Sequence, residues 1–308
     1  MKGDSEIVKL PTKTLTQIFG DANHNKKFFA PPWLTDSSLN MLFAPTGMGK
    51  SHFAFNLGLK LAQGSTWLNE QCLKSKVLYV DGEMGGDTWM KRLMDGMILG
   101  CVEENFHMMC PENFKDFSIP TLANRKNHAR WIETCKDYDV IVIDNYIACC
   151  MPTDSRMSDT EIWLVVKDLL VTLRSMGKAV IIVHHTNKEG SVQHGTYYKE
   201  MWMDIIIRLK QFPVQALENG LTWEILYTKD RHDYYGTGYE HLMDIVFAYD
   251  QVHTRMKDID EERNKLITQW LDEGWLDEEI AHKLDIRKGK VQFIKRKFKN
   301  QRNDEDII

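Results

Sequence analysis

Residues 44–51 read Ala-Pro-Thr-Gly-Met-Gly-Lys-Ser, and these residue types at this spacing suit a polyphosphate. Gly47 and Gly49 let the backbone turn so that its N–H groups point inward at phosphate oxygens. Lys50 brings a full positive charge to the β- and γ-phosphates of a nucleotide, and the Ser51 hydroxyl can ligate Mg²⁺. The cradle comprises Ala44, Pro45, Thr46, Gly47, Met48, Gly49, Lys50, Ser51 and the adjoining His52. Ala44 stands where the strict form of the pattern has a glycine. The chemistry implied is the binding and cleavage of a nucleoside triphosphate.

Three more polar clusters each follow a short apolar run: Asp81-Gly82-Glu83, Asp144-Asn145 and His184-His185. Asp144 closes DVIVID, the Walker B arrangement, where a carboxylate can hold Mg²⁺ opposite Ser51. Glu83 can orient and polarise an attacking water. Asp81 shares its strand face and competes for that role, but Glu83 lies farther out. Either His184 or His185 can hydrogen-bond a γ-phosphate and report its presence.

The elements that position these groups show in the hydrophobic pattern. Leu39–Phe43, Val77–Val80, Val140–Ile143 and Ala179–Val183 are apolar throughout. Between them run helical stripes, Phe53/Leu57/Leu61 and Ile162/Val165/Val166/Leu169/Leu170/Leu173, closed by Gly64 and Gly177. This alternation predicts an α/β core with a mainly parallel sheet buried on both faces. Ligands of such sheets bind outside the carboxyl ends of the strands, where all four polar clusters fall. Asp204–Leu209 and Leu221–Thr228 read as further, antiparallel strands. The predicted order is an N-terminal lead-in (1–27), the ATPase core (28–249), a charged linker (250–263), a small helical unit (264–302) and an acidic tail (303–308).

Composition narrows the partners. The chain has 308 residues and a net charge of -5, so nucleic-acid contact must come from a local patch. One such patch runs from Lys283 to Arg302, nine basic residues against the single acid Asp285. Six cysteines without a CxxC pair argue against zinc or a disulfide framework and fit a reducing cytosol. MKGDSEIVKL lacks the apolar stretch of a signal peptide, and Ala179–Val183 is too short to span a bilayer. The expectation is a soluble cytoplasmic protein.

Near the C-terminus, Asn264–Asp272 reads as a helix ended at Gly274. Asp277 is the expected N-cap of Glu278–Leu284, residues 285–289 form a turn, and a third helix starts at Lys290. The stretch DEEIAHKLDIRKGKV (277–291) looks like the helix-turn-helix of sigma-factor and response-regulator type domains. Lys288, Lys290, Lys295 and Arg296 are then candidate phosphate contacts on duplex DNA.

Together, APTGMGKS, VLYVDGEM (77–84) followed by Arg92, VIVIDN (140–145), RSMGKAVIIVHHTNKEG (174–190), GTYYKEMWMDIIIRL (195–209) and Lys229-Asp230-Arg231 resemble the RecA-like P-loop ATPases of the RepA type. These are relatives of the DnaB hexameric helicases of plasmids, phages and other mobile elements. The resemblance covers about residues 28–249. It implies ATP and Mg²⁺ as cofactors, with Arg92 beside the nucleotide, Glu83 as catalytic base and His184 or His185 as phosphate sensor. It implies that Lys188–Lys199 faces single-stranded DNA, with Lys188, His194 and Lys199 as contacts. It also implies a homo-oligomer, a hexameric ring, in which Lys229 and Arg231 reach a neighbour's ATP site. The chain departs from many relatives at His194-Gly195-Thr196, where they carry Arg-Gly-Ser or Arg-Gly-Thr. No primase or zinc-binding module accompanies the core. A replicative helicase or translocase is the leading expectation. An ATP-gated initiator or regulator without unwinding, and a recombinase-like protein or loader, remain open beside it.

Overall fold

A computed structural model describes residues 11–21, 26–83, 85, 104–151, 156–186, 198–212, 220–234, 240–247 and 252–305. After helix α1 (Leu15–Asp21) and a small hairpin, β1 (Phe28–Ala30) and β2 (Leu34–Thr35), the chain enters the central strand β3 (Ser38–Ala44). Helix α2 (Lys50–Gln63) follows, then the ribbon β4 (Thr66–Trp67) and β5 (Glu70–Gln71). Strands β6 (Val77–Asp81) and β7 (Phe106–Met109), helix α3 (Arg125–Cys135), strand β8 (Val140–Asp144), helices α4 (Tyr146–Cys149) and α5 (Asp159–Ser175), and strand β9 (Ala179–His185) complete the first half of the core.

Helix α6 (Tyr198–Trp202) leads into β10 (Ile205–Gln211), β11 (Gly220–Asp230), β12 (Glu240–Phe247) and β13 (Val252–Lys257). The strands make a nine-stranded sheet ordered β13-β12-β11-β10-β3-β9-β8-β6-β7. From β10 to β7 every pairing is parallel; β11, β12 and β13 extend the sheet antiparallel.

The four apolar runs are buried over their whole length, as two-sided burial demands. On one face the stripe Phe53, Leu57 and Leu61 of α2 packs against β3, β6 and β8. Each such side chain contributes about 1.5–3 kcal/mol by leaving water. On the other face lie α3 and α5, with Trp131, Trp163, Val166 and Leu170. Gly64 ends α2 at φ +64°, where its N–H reaches the carbonyl of Leu61.

Two expectations about the sheet and its C-terminal edge change. Strand β10 pairs parallel with β3, Ile205 opposite Asn40, and only its other edge is antiparallel, to β11. Residues 186–204 supply the long crossover a parallel pairing requires. The expected linker is not one either: Val252–Lys257 is the edge strand β13, paired to β12. Val252, Thr254 and Met256 alternate with His253, Arg255 and Lys257, a period of two that suits a sheet edge.

The C-terminal unit consists of α7 (Ile259–Asp272), α8 (Asp277–Leu284) and α9 (Lys288–Glu305). Asp258, in the expected linker, caps α7 through the amides of Asp260 and Glu261. Leu276 occupies the N-cap of α8, and Asp277 sits in its first turn. Asp285, at φ +53°, makes the turn into α9, which begins at Lys288 and includes residues 303–305. Ile267, Trp270, Ile280, Leu284 and Val291 form the unit's core and enclose Phe212 at the end of β10. No helix among the described residues is long and apolar enough to cross a membrane.

Candidate active site

At the carboxyl ends of β3, β6, β8 and β9 lies a cavity of about 380 Å³. It is lined by Thr46, Gly47, Gly49, Lys50, Ser51, His52, Glu83, Asp144, Asn145 and His185. The pairing of β3 with β9, β9 with β8 and β8 with β6 brings residues from four separate runs to this edge.

The loop from Ala44 to Gly49 turns on Gly47 (φ +80°) and Gly49 (φ +78°), conformations in which a side chain would be strained. Gly49 is the N-cap of α2, so the first turn of that helix directs N–H groups and a partial positive charge into the cavity. Lys50 is buried; its Nζ donates to the carbonyls of Ala44 (2.9 Å) and Pro45 (2.8 Å). Burial lowers its pKa, while Asp144 and Glu83 oppose that shift. From β11, the indole N–H of Trp223 donates to the carbonyl of Met48 at 2.7 Å.

Asp144 accepts hydrogen bonds from the Tyr79 hydroxyl and from Ser51. Burial pushes its carboxyl up to about 6; the Tyr79 and Ser51 hydrogen bonds work against this, and Asp81 and Glu83 add to it. The Ser51 hydroxyl and the Asp144 carboxylate are hard oxygen donors held together at the loop, which fits Mg²⁺. That ion takes one or two protein oxygens and completes its shell with phosphates and water. No cluster of three or more His, Cys, Asp or Glu among the described residues could hold a metal unaided.

The paired candidates at 81/83 and 184/185 are separated by the geometry. Asp81 is buried and accepts the Glu83 N–H at 2.9 Å, whereas Glu83 lines the cavity and is exposed. His185 also lines the cavity, its Nδ1 3.4 Å from Thr46 Oγ1. His184 does not. It is fully buried, stacked on Tyr146 with ring centroids 4.9 Å apart, and its Nε2 lies 3.2 Å from Lys199 Nζ. Burial first, and then the Lys199 ammonium, push its pKa down to about 3.

Lys199, expected to contact DNA, is 1% exposed and pairs with Asp159 at 2.8 Å. It is committed to the interior. Arg92, Lys188 and His194 lie outside the described residues. Lys229 donates to the carbonyl of Glu200 (2.6 Å), and Arg231 to that of Met201 (2.7 Å) and to Asp204 (3.1 Å). Both sit at the end of the sheet away from the loop: Asp230 pairs with Ile205, and Ile205 with Asn40. Four residues of β3 separate that level from Ala44, about 13 Å along the strand. In the helical unit Lys288 pairs with Glu278, Lys290 with Asp260 and Lys295 with Asp277, while Arg296 is exposed.

Tyr79, Trp223 and Asp204 escaped the sequence reading as site residues, whereas Asn145 was already named beside Asp144. Tyr79, the lone hydroxyl in an apolar strand, was the one visible signal. A larger cleft of about 860 Å³ adjoins Gly82, between residues 111–121 and Met151. Its lining holds no residue of the phosphate loop, so the smaller cavity is the candidate site.

A family model described as an AAA domain matches residues 6–191. That span contains the loop, Glu83, Asp144 and both histidines, and stops before Lys229. No curated protein matches the chain. Among solved structures the chain is similar to a KaiC-like protein from Pyrococcus horikoshii, with 16% identity and a TM-score of 0.53 over 75% of this chain and 100% of that one. It is also similar to the flagellar accessory protein FlaH from Methanocaldococcus jannaschii, with 11% identity and a TM-score of 0.52 over 72% of this chain and 91% of that one. At these identities the likeness is one of fold.

Proposed function

Because the chain belongs to the AAA domain family and has the fold of a RecA-like P-loop ATPase, we propose that it is an oligomeric, DNA-dependent ATPase. Its role in this reading is that of a replicative helicase or translocase of a mobile element, acting on single-stranded DNA as a hexameric ring. One observation carries the proposal: Lys50, Ser51, Glu83, Asp144 and His185 share one cavity at one sheet edge.

ATP places its phosphates on the 44–51 loop, beneath Lys50 and the first turn of α2. Ser51 and Asp144 would hold Mg²⁺, which would supply charge neutralisation for the phosphates. Glu83 takes a proton from the water that attacks the γ-phosphorus as the bond to the bridging oxygen breaks. His185 senses the γ-phosphate. Lys229 and Arg231 stand too far from their own loop to serve it, which supports a role in a neighbour's site; an arginine so placed is worth about 10³–10⁵ in turnover. Lys188 and His194 remain the proposed single-strand contacts.

A second reading, an ATP-gated initiator or regulator, draws on the three-helix unit, whose Asp285 turn joins α8 to α9 as in a helix-turn-helix. There Lys288, Lys290 and Lys295 must exchange a carboxylate for a phosphate, whereas Arg296 lies outside these pairs.

The test is ATPase turnover with and without single-stranded DNA, alongside unwinding of a forked duplex. The expected result is stimulation and unwinding. Glu83→Gln should retain ATP binding while losing about 10²–10⁴ in turnover, and Lys50→Ala should lose both. Turnover indifferent to single strands, with no unwinding, removes the motor and leaves the regulator.

A further inference from the structure

Lys199 is among the largest fully buried side chains of the molecule. Among the described residues its ammonium meets groups on three elements. Asp159, at the start of α5, accepts at 2.8 Å, His184 Nε2, at the end of β9, lies at 3.2 Å, and the Tyr146 ring, two residues past Asp144, has its centroid 4.3 Å away. Tyr146 in turn stacks on His184.

The ring atoms fix the proton arrangement. His184 Nδ1 faces the carbonyl of His185 at 3.0 Å, and a carbonyl only accepts, so Nδ1 carries the hydrogen. Nε2 is then the lone-pair acceptor for the lysine. The neutral imidazole thus ties the backbone of His185 on one side to the ammonium on the other. Its lowered pKa agrees with this assignment.

We propose that Lys199 is a positioning residue for ATP turnover, locking the end of β9 so that the His185 ring faces the phosphate loop. The inference rests on the ATPase reading of the cavity. Desolvating an ammonium is costly unless its partners compensate fully, and here one partner, His184, adjoins His185 and another, Tyr146, lies two residues past Asp144, with Asp159 supplying the opposite charge. The same short helix, α6, offers the carbonyls of Glu200 and Met201 to Lys229 and Arg231. The clasp therefore also sets where that pair stands.

The experiment compares full-length wild type, Lys199→Met, His185→Ala and the double variant. Lys199→Met should lower kcat about 10- to 100-fold, the scale of a small misplacement. KM and the affinity for a slowly hydrolysed ATP analogue should stay within about twofold. In the His185→Ala background it should add less than about twofold, because both changes act through one group. An unchanged kcat, a full second loss in the double variant, or a parallel loss of affinity would overturn the proposal. Should Lys199→Met lack a cooperative thermal transition, Asp159→Asn replaces it under the same criteria, with a smaller loss. Wild-type protein that hydrolyses no ATP would instead sink the ATPase reading, and the inference with it.

Discussion

Arg263 and Glu224 join the helical unit to the sheet at 2.9 Å, each side chain 8% exposed. Replacing Arg263 by Met keeps an apolar stem of similar reach and strands the Glu224 carboxylate among buried neighbours. Breaking one side of a buried pair costs about 3–5 kcal/mol. At about 2–4 °C per kcal/mol for a chain of this size, the melting midpoint should fall by about 6–20 °C. Removing both charges, Arg263→Met with Glu224→Met, should recover most of that loss, since an apolar pair is often no worse than an ionic one. The exposed pair across the same junction, Lys210 with Asp285, is the control: Lys210→Ala should cost at most about 1 kcal/mol. Calorimetry on wild type, Arg263→Met, Glu224→Met, the double variant and Lys210→Ala decides the matter. A double variant as unstable as the two single changes summed would refute the idea that a stranded charge, rather than lost packing, sets the cost.

Two other outcomes follow from the geometry. Trp223→Phe keeps an aromatic beside Phe53 but deletes the indole donor to Met48; the lost hydrogen bond, about 0.5–1.5 kcal/mol, should weaken ATP binding about 2- to 12-fold in a fluorescence titration. Unchanged affinity would mean that the loop holds its shape without β11. His184 titrates near 3 when folded and near 6.5 otherwise, so the unfolded chain takes up the proton first. Stability should be fully present above pH 6.5 and decline as pH falls toward 3, by up to about 1.4 kcal/mol per pH unit. The groups facing this ring are Lys199, Asp159, Tyr146 and His185. His184→Gln should flatten that part of the denaturation profile, and an identical slope would count against a buried neutral imidazole.

The cavity was legible from sequence because parallel sheets place chemistry at carboxyl ends, so four apolar runs ending in polar residues already named one edge. Alternation along β9 shows that His184 and His185 face opposite ways, but not which one meets the loop. Lys199 read as a DNA contact because the family resemblance places residues 188–199 against single-stranded DNA. Its acid, Asp159, lies 40 residues earlier and belongs to no local pattern. The ion pairs of Lys288, Lys290 and Lys295 escaped notice for the same reason, spanning 10, 30 and 18 residues. The edge strand β13 was obscured because its charges resemble those of a linker.

Trp223 and Glu224 are consecutive on β11, so their side chains leave opposite faces of the sheet. One grips the phosphate loop and the other anchors α7. Strand β11 thus carries two attachments on adjacent residues, one to α7 and one to the carbonyl of Met48.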